Sequence, residues 1–290
     1  MRETGAVAPV EKLWTDSSLH SVSRRIADRS VYEIDFGELA VAHIFLRERH
    51  ILMVPLNSHV SEQTLQHLAA DQVLPKVLAH DGKRVLHAGA VASGLLCIAF
   101  VGKSGLGKST LGISMARDGW ALMGDDALVV AKEGGLFQCR AVKRSLRLLP
   151  DSVATFFPDG PVGQLVADYS SKSEFGYCLR GNETDLPVPL TAIFFLAKKT
   201  MGDAINLRRM NVAESCMGLI CNSFLLDASD PLIAKRNLIT ASALATAVPA
   251  FELAYPRIYA RLPDVHFAIR HQLSEIAAPE NSESATEISR

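Results

Sequence analysis

Short alternating apolar runs fill residues 31–54 (VYEIDFGELAVAHIFLRERHILMV), rich in β-branched residues and broken at a glycine, a pattern that predicts two or three strands. From Ser61 to Leu78 the spacing changes, with Leu65, Leu68, Ala69 and Val73 at helical intervals behind Ser61, a residue type that caps helices. Between Val85 and Val101 two apolar runs, VLHAGAVA and LLCIAFV, are joined by Ser93-Gly94, which predicts a β-hairpin. The second run leads straight into GKSGLGKST. Thr110–Arg117 then reads as a short helix closed by Gly119, and WALMGDDALVV as a strand interrupted by its Gly-Asp-Asp.

Beyond this point LPDSVATFFPDGPVGQ has the Pro, Gly and Asp content of turns, and DYSSKSEFGYCLRGNETD that of a polar loop or ribbon near a site. PLTAIFFLAKK predicts a strand. The last third predicts helices over Val212–Phe224 and Asp230–Val248 and through HFAIRHQLSEIA, with a polar, loose tail after Pro279. The expected organisation is an N-terminal α+β region over 1–80, a core domain over 81–277 and a disordered tail over 278–290.

Composition narrows the class. With 48% apolar and 21% charged residues in 290, the chain has the make-up of an ordinary folded protein. Thirty basic against 31 acidic residues give a net charge of -1, so no whole-molecule field draws in nucleic acid or an anionic membrane, and neither is an expected partner. The longest uncharged stretches, Ala88–Gly102 and Asn237–Phe251, are 15 residues each, short of the ~18 a spanning helix needs. MRETGAVAPVEKLW lacks the basic start and apolar run of a signal peptide, so a cytoplasmic location is expected. Five cysteines without a C-x-x-C give neither a disulfide framework nor a zinc site.

The strongest chemical signal is Gly102-Lys103-Ser104-Gly105-Leu106-Gly107-Lys108-Ser109, a complete G-x-x-x-x-G-K-[ST] between a predicted strand and a predicted helix. Its glycines let successive backbone N–H groups and the helix N-terminus converge on phosphates. Lys108 is expected to reach the β- and γ-phosphates of ATP, Ser109 to bind Mg²⁺ through its hydroxyl, and Thr110 to add a phosphate bond. Gly124-Asp125-Asp126 supplies two carboxylates seventeen and eighteen residues after Lys108. Beside a phosphate loop, one can serve the metal and the other face an acceptor. His87, in the strand before the hairpin, would by itself be structural.

Taken together, His87-Ala-Gly-Ala-Val, the loop ending in Lys108-Ser109, and Gly-Trp-Ala-Leu-Met-Gly-Asp125-Asp126 resemble the core of the HPr kinase/phosphorylase family, related in fold to ATP-dependent phosphoenolpyruvate carboxykinase. The resemblance covers residues 85–130 and extends more loosely to about 270. It implies an α/β fold with a phosphate-loop kinase core of that type and a small N-terminal α+β part. Carried over by motif position, it implies Asp126 as the base for a serine hydroxyl, Lys108 as the stabiliser of the transferring phosphoryl group, Ser109 with Asp125 on the metal side, and His87 in support. A basic group from the polar segment, Lys172 or Arg180, would complete the catalytic set. The family's Leu-Glu-x-Arg-Gly motif has no match, and RSLRLLPDSV stands in its place, so neither a second metal ligand nor the reverse phosphorylase reaction is implied. The N-terminal 80 residues do not resemble the bifunctional enzymes. This favours the shorter branch found with peptide-modifying systems, which includes kinases of lasso precursor peptides; homo-oligomers are frequent in the family.

The expected function is therefore ATP- and Mg²⁺-dependent transfer of the γ-phosphoryl group to a serine hydroxyl of a protein or peptide acceptor. The alternatives are a small-molecule kinase built from the same parts and an ATP-binding sensor without acceptor chemistry.

Overall fold

A computed structural model describes residues 9–15, 20–160, 163–176, 187–198 and 204–277. Arg180 and the 278–290 tail lie outside the described residues. The chain opens with an antiparallel sheet of five strands in sequence order: β1 (Val10–Thr15), β2 (Ser21–Arg25), β3 (Val31–Asp35), β4 (Ala40–Phe45) and β5 (His50–Pro55). The apolar pattern predicted the last three. The first two went unpredicted because β1 is largely exposed and β2, SVSRR, buries a serine-and-arginine strand with one apolar residue, Val22. On the inner face Val22, Ile34, Ala40, Ala42 and Ile44 form a core with Leu68 and Val73 of the following helical segment.

Ser61 caps that segment as expected, accepting from the Thr64 N–H at 3.1 Å. The helix is not uniform: α1 (Glu62–His67) passes through a π-helical stretch, Leu68–Val73, before α2 (Leu74–His80). Pro75 has no N–H to return to residue 71, which favours the wider turn ahead of it.

The core follows. β6 (Arg84–Leu86), β7 (Ala88–Ser93) and β8 (Leu96–Val101) lead to α3 (Lys108–Arg117), then β9 (Ala121–Gly124), β10 (Leu128–Glu133), β11 (Leu136–Ala141) and β12 (Ser145–Leu148). After α4 (Pro150–Phe156) come β13 (Gln164–Leu165), β14 (Ser173–Gly176), β15 (Val188–Leu196) and β16 (Asn206–Arg209). The chain continues through α5 (Val212–Cys221), α6 (Pro231–Ala247), β17 (Ala250–Ala254), a 3₁₀ turn at Tyr259–Arg261 and α7 (Leu262–Ala277).

Nine of these strands form one sheet in the order β6-β10-β11-β15-β8-β7-β9, with β17 on β15 and β16 on β17; β12, β14 and β13 make a small separate sheet. β8, β15 and β17 run parallel, the remainder antiparallel. The large sheet is covered on both faces. Along β8, Cys97, Ala99 and Val101 pack toward α5 and α6, whereas Ile98 and Phe100 pack toward α3, α4 and α7. The protein is thus mixed α/β with an N-terminal antiparallel sheet, and among the described residues no helix is long and apolar enough to cross a membrane.

Several sequence expectations change. Ser93 pairs with Leu96, so the hairpin turns at Gly94-Leu95 and not at Ser93-Gly94, with Gly94 supplying a left-handed position at φ 58°. VLHAGAVA is not one strand: it breaks at His87, where β6 on β10 gives way to β7 between β8 and β9. Part of the turn-rich LPDSVATFF is the helix α4, since Pro150 occupies a first-turn position where its missing N–H is no loss. The helix expected to reach Phe224 ends at Cys221. Part of the polar segment forms β14, and β16 and β17 were not foreseen.

The N-terminal sheet is tied to the loop between α5 and α6. Trp14 donates to the Leu226 carbonyl at 3.0 Å; the Arg24 guanidinium meets the Asp227 carboxylate at 2.7 Å, and the Tyr32 hydroxyl donates to the same oxygen at 3.1 Å. Burial alone would raise the Asp227 carboxyl, but bonds from Ser229 and Tyr32 and the Arg24 charge outweigh it and hold it below its usual value. Asp227→Asn should therefore cost about 3 kcal/mol in urea denaturation by leaving buried Arg24 facing a neutral group. The depressed carboxyl contributes stability that is complete above about pH 4 and is lost as pH falls through its folded value. The variant's stability should accordingly fall less steeply in acid, and equal midpoints for both proteins would contradict this role.

A second constraint bears on β9. A Cβ on Gly124 would sit 2.3 Å from the Ala141 Cβ of β11. Gly124→Ala should lower stability by about 1–3 kcal/mol through overpacking, and a second change, Ala141→Gly, should restore most of it in the same thermal or urea melt.

Candidate functional site

β8 delivers the chain to residues 102–107 at its carboxyl end, beside the end of parallel β15, and α3 begins at once with Lys108. Gly107 is the N-cap residue, left-handed at φ 84°, with no side-chain cap. Any Cβ there would also crowd the Tyr255 hydroxyl and Arg257 Nη1 at 3.2 Å, so both conformation and space demand glycine. Lys108 is buried; its Nζ donates to the carbonyls of Gly102 at 2.6 Å and Lys103 at 3.2 Å. Burial pulls its pKa down, against the charges of Asp126 and Asp125.

The two adjacent aspartates occupy different surroundings. Asp125 is buried, accepts from the Asp126 N–H at 3.1 Å and the Arg147 N–H at 3.4 Å, and is hydrogen-bonded by the Ser109 hydroxyl. Burial, helped by the neighbouring Asp126 charge, pushes its carboxyl up to about 6. Asp126 has a left-handed backbone at φ 67°, which aspartate tolerates better than most residues. Its carboxylate lies 2.9 Å from Arg147 Nη2 and 3.4 Å from His87 Nε2. Burial would raise this carboxyl, but the His87 hydrogen bond and the Arg147, His87 and Lys108 charges together drive it well below the carboxylate range.

His87 is held at the strand break by its N–H, donated to the Asn222 carbonyl at 2.7 Å, and by stacking on Phe224 with ring centroids 5.8 Å apart. Lys172 lies close enough for its charge to oppose that of Lys108. Asp168 anchors its loop by accepting from the Ser61 N–H and the Thr64 hydroxyl, both at 2.8 Å. Thr110 lines the same cavity as the loop, with its hydroxyl bonded to Ser152 at 3.1 Å and Ser152 to Tyr259 at 2.9 Å.

Sequence reasoning passed over two arginines. Arg147, in the RSLRLLPDSV that replaces the missing motif, is 3% exposed and bridges Asp126 to Asp71 of the π-helical segment, with Asp71 Oδ2 3.1 Å from Nη1. His67 holds the same carboxylate at 2.8 Å. Its signal was a charged residue between Leu146 and Leu148 in a strand buried throughout, but nothing local names its partners. Arg257 stacks its guanidinium 3.9 Å above the Tyr255 ring and donates to the Ala197 carbonyl at 2.8 Å. Its Nη1, buried beside Gly107 of the glycine-rich loop, has no hydrogen-bond partner among the described residues, and an anion at the loop would satisfy it.

These groups line two cavities that meet. One, of about 200 Å³, runs from the loop and Lys108 past Thr110 to Leu149, Ile258 and Tyr259. The other, of about 700 Å³, lies between the N-terminal sheet and the core. Ser104, Asp126, Arg147 and Lys172 border both. Among the described residues no three His, Cys, Asp or Glu side chains cluster as a metal site. Ser109 and Asp125 are among the oxygen donors beside the loop, a hydroxyl and a carboxylate of the kind that suits a hard cation sharing its remaining positions with phosphate and water.

No family model matches the sequence, and no curated protein matches it. Among solved structures, the chain has a weak likeness to the HPr(Ser) kinase/phosphatase from Coxiella burnetii, at 10% identity and a TM-score of 0.34, over 67% of this chain and 99% of that one.

Proposed function

We propose that this protein is an ATP-dependent kinase that transfers the γ-phosphoryl group to a serine hydroxyl of a protein or peptide, a class that includes ribosomal precursor peptides such as lasso precursors. The observation that carries the reading is that Lys108, Ser109 and the Asp126 carboxylate line one cavity, with buried Asp125 bonded to Ser109 behind it, and that Asp126 also borders a second, larger cavity.

The loop amides and Arg257 bind the phosphates, and Lys108 turns from the loop carbonyls to the transferring group. Ser109 and Asp125 would hold Mg²⁺, which when bound neutralises phosphate charge. Asp126 receives the acceptor proton. Its strong pairing makes it a weak base, which is adequate because a loose transition state asks for little base strength until late. His87 and Arg147 fix its orientation, and Lys172 adds positive charge between the cavities. Leu149 and Ile258, both substantially exposed, form apolar lips for the nucleoside across a hydrogen-bonded floor of Ser152, Tyr259 and Asp151.

Incubation with γ-labelled ATP, Mg²⁺ and a desalted extract of the native host should put label on a polypeptide. Lys108→Ala should abolish transfer and weaken ATP binding, whereas Asp126→Asn should keep ATP binding and lower transfer by about 10²-fold or more. Undiminished transfer in Asp126→Asn would end its assignment as base.

The nucleoside assignment has a separate check by titration calorimetry. The double variant Leu149→Ser, Ile258→Ser should weaken ATP about tenfold and leave inorganic tripolyphosphate unchanged, since burying such side chains against a ring is worth roughly 1–2 kcal/mol. Equal weakening of both ligands would place the effect in the loop instead.

A further inference from the structure

A buried charge without a counter-charge lies outside the candidate site. Arg84, on β6, is 7% exposed; burial pulls its pKa down to about 10, and no carboxylate among the described residues acts to raise it. Its bonds go to neutral oxygens: Nε donates to the Thr240 hydroxyl at 3.1 Å, Nη1 to the Ser223 hydroxyl at 2.8 Å, and Nη2 to Thr240 and the Asn237 carbonyl. Both hydroxyls spend their own protons on helix carbonyls, Thr240 on Arg236 at 2.9 Å and Ser223 on Leu219 at 2.7 Å, so they meet Arg84 as acceptors. Neutral acceptors satisfy N–H groups one by one and leave the charge itself unmatched.

A cavity of about 20 Å³ lies beside it, walled by the end of α2, β6, α6 and the segment after α5. Lys83 and Arg236 line it together with Arg84, and no carboxylate among the described residues does. Arg236 Nη2 donates to the Ala79 and His80 carbonyls at 3.2 and 2.7 Å, whereas its Nη1 has no hydrogen-bond partner among the described residues. Asp81 and Asp230 stand close enough to His80 to act on it alongside Arg236, but neither borders the cavity, and Asp230 is engaged in capping α6. The volume suits one water or one ion of halide size and is too small for phosphate. A water brings no charge, and three cations with none opposite favour the ion.

We propose that this cavity is a binding site for a monatomic anion of the halide class, held by Arg84 and Arg236 with exposed Lys83 beside them. Its place in the fold gives occupancy a consequence. Ser223, Phe224 and Leu225 line this cavity and also the larger one beside Asp126. The Phe224 N–H donates to the Val85 carbonyl at 2.9 Å, and Ser223 forms a β-bridge with Leu86. The anion therefore fastens β6 and α6 to the segment whose Phe224 ring stacks on His87. It stabilises that junction from behind, outside the phosphate-loop cavity, and the inference does not depend on the kinase reading.

The test uses the full chain at fixed ionic strength, with sodium chloride or sodium bromide exchanged stepwise for sodium gluconate, whose anion is too large for the cavity. Tripolyphosphate is present throughout, so that halide at the phosphate loop does not contribute. Both halides should raise the melting temperature by about 2–4 °C along a saturating curve. Crystals soaked in bromide should show an anomalous scattering peak in contact with the Arg84 guanidinium. Arg236→Gln, a change at an exposed position, should raise the half-saturating halide concentration about fivefold. Equal melting temperatures in halide and gluconate, or bromide peaks that leave the cavity empty, would overturn the proposal in the unaltered protein, without recourse to a variant. An unchanged saturation curve in Arg236→Gln would overturn the part given to Arg236.

Discussion

One buried guanidinium holds the two halves of this protein in register. Arg147 comes from a short strand of the core, pairs with Asp126 beside the glycine-rich loop and with Asp71 on the N-terminal side, and is almost without solvent contact. A charge so placed is tolerable because carboxylates accept from it on both sides, and removing either would leave guanidinium N–H groups unmet in a poorly solvated setting. That requirement makes the orientation of Asp126 depend on a helix some fifty residues earlier in the chain. The π-helical stretch gains a purpose from it, since it carries Asp71 and sets that carboxylate between His67 and Arg147.

The same economy of charge separates the two neighbouring aspartates. Asp125 is enclosed and bonded by backbone N–H groups and the Ser109 hydroxyl, and burial raises its carboxyl. Asp126, one residue on and turned by its left-handed backbone, faces Arg147 and His87 and is held ionised. Environments that push two carboxyls apart in this way give them different tasks, one suited to a cation and the other to an acceptor proton. Gly124 lets this turn lie close against β11, where a methyl group would collide with Ala141.

The segment from Asn222 to Asp227 does comparable work from the other direction. Asn222 receives the His87 N–H, Phe224 stacks on the His87 ring, and Leu226 and Asp227 take the N-terminal sheet through Trp14, Arg24 and Tyr32. The chamber beside Asp126 therefore has walls from both units, fixed by the contacts that join them. Its lining is a property of the assembled pair of units.

The sequence alone determined what depends on neighbours along the chain. The loop from Gly102 to Ser109, the helix that follows it, the Ser61 cap, the Asp125-Asp126 turn and most strands of the core were legible, because periodicity, glycine and capping act over a few residues. Tertiary structure decided the rest. Pro150 looked like a turn and opens a helix; β17 lay hidden after a helix because a strand's identity there rests on pairing with β15. Nothing local named the partners of Arg147 and Arg257, since a buried arginine is explained only by partners far away in sequence: Asp71 for the first, and for the second the glycine-rich loop and the Ala197 carbonyl. Lys172 could be named as a candidate, but its position between two cavities follows from Asp168 fastening its loop to Ser61 and Thr64. Local interactions specified the parts of the candidate site, and long-range burial and charge pairing specified how they face one another, because the energies of those contacts exist only once distant segments exclude water together.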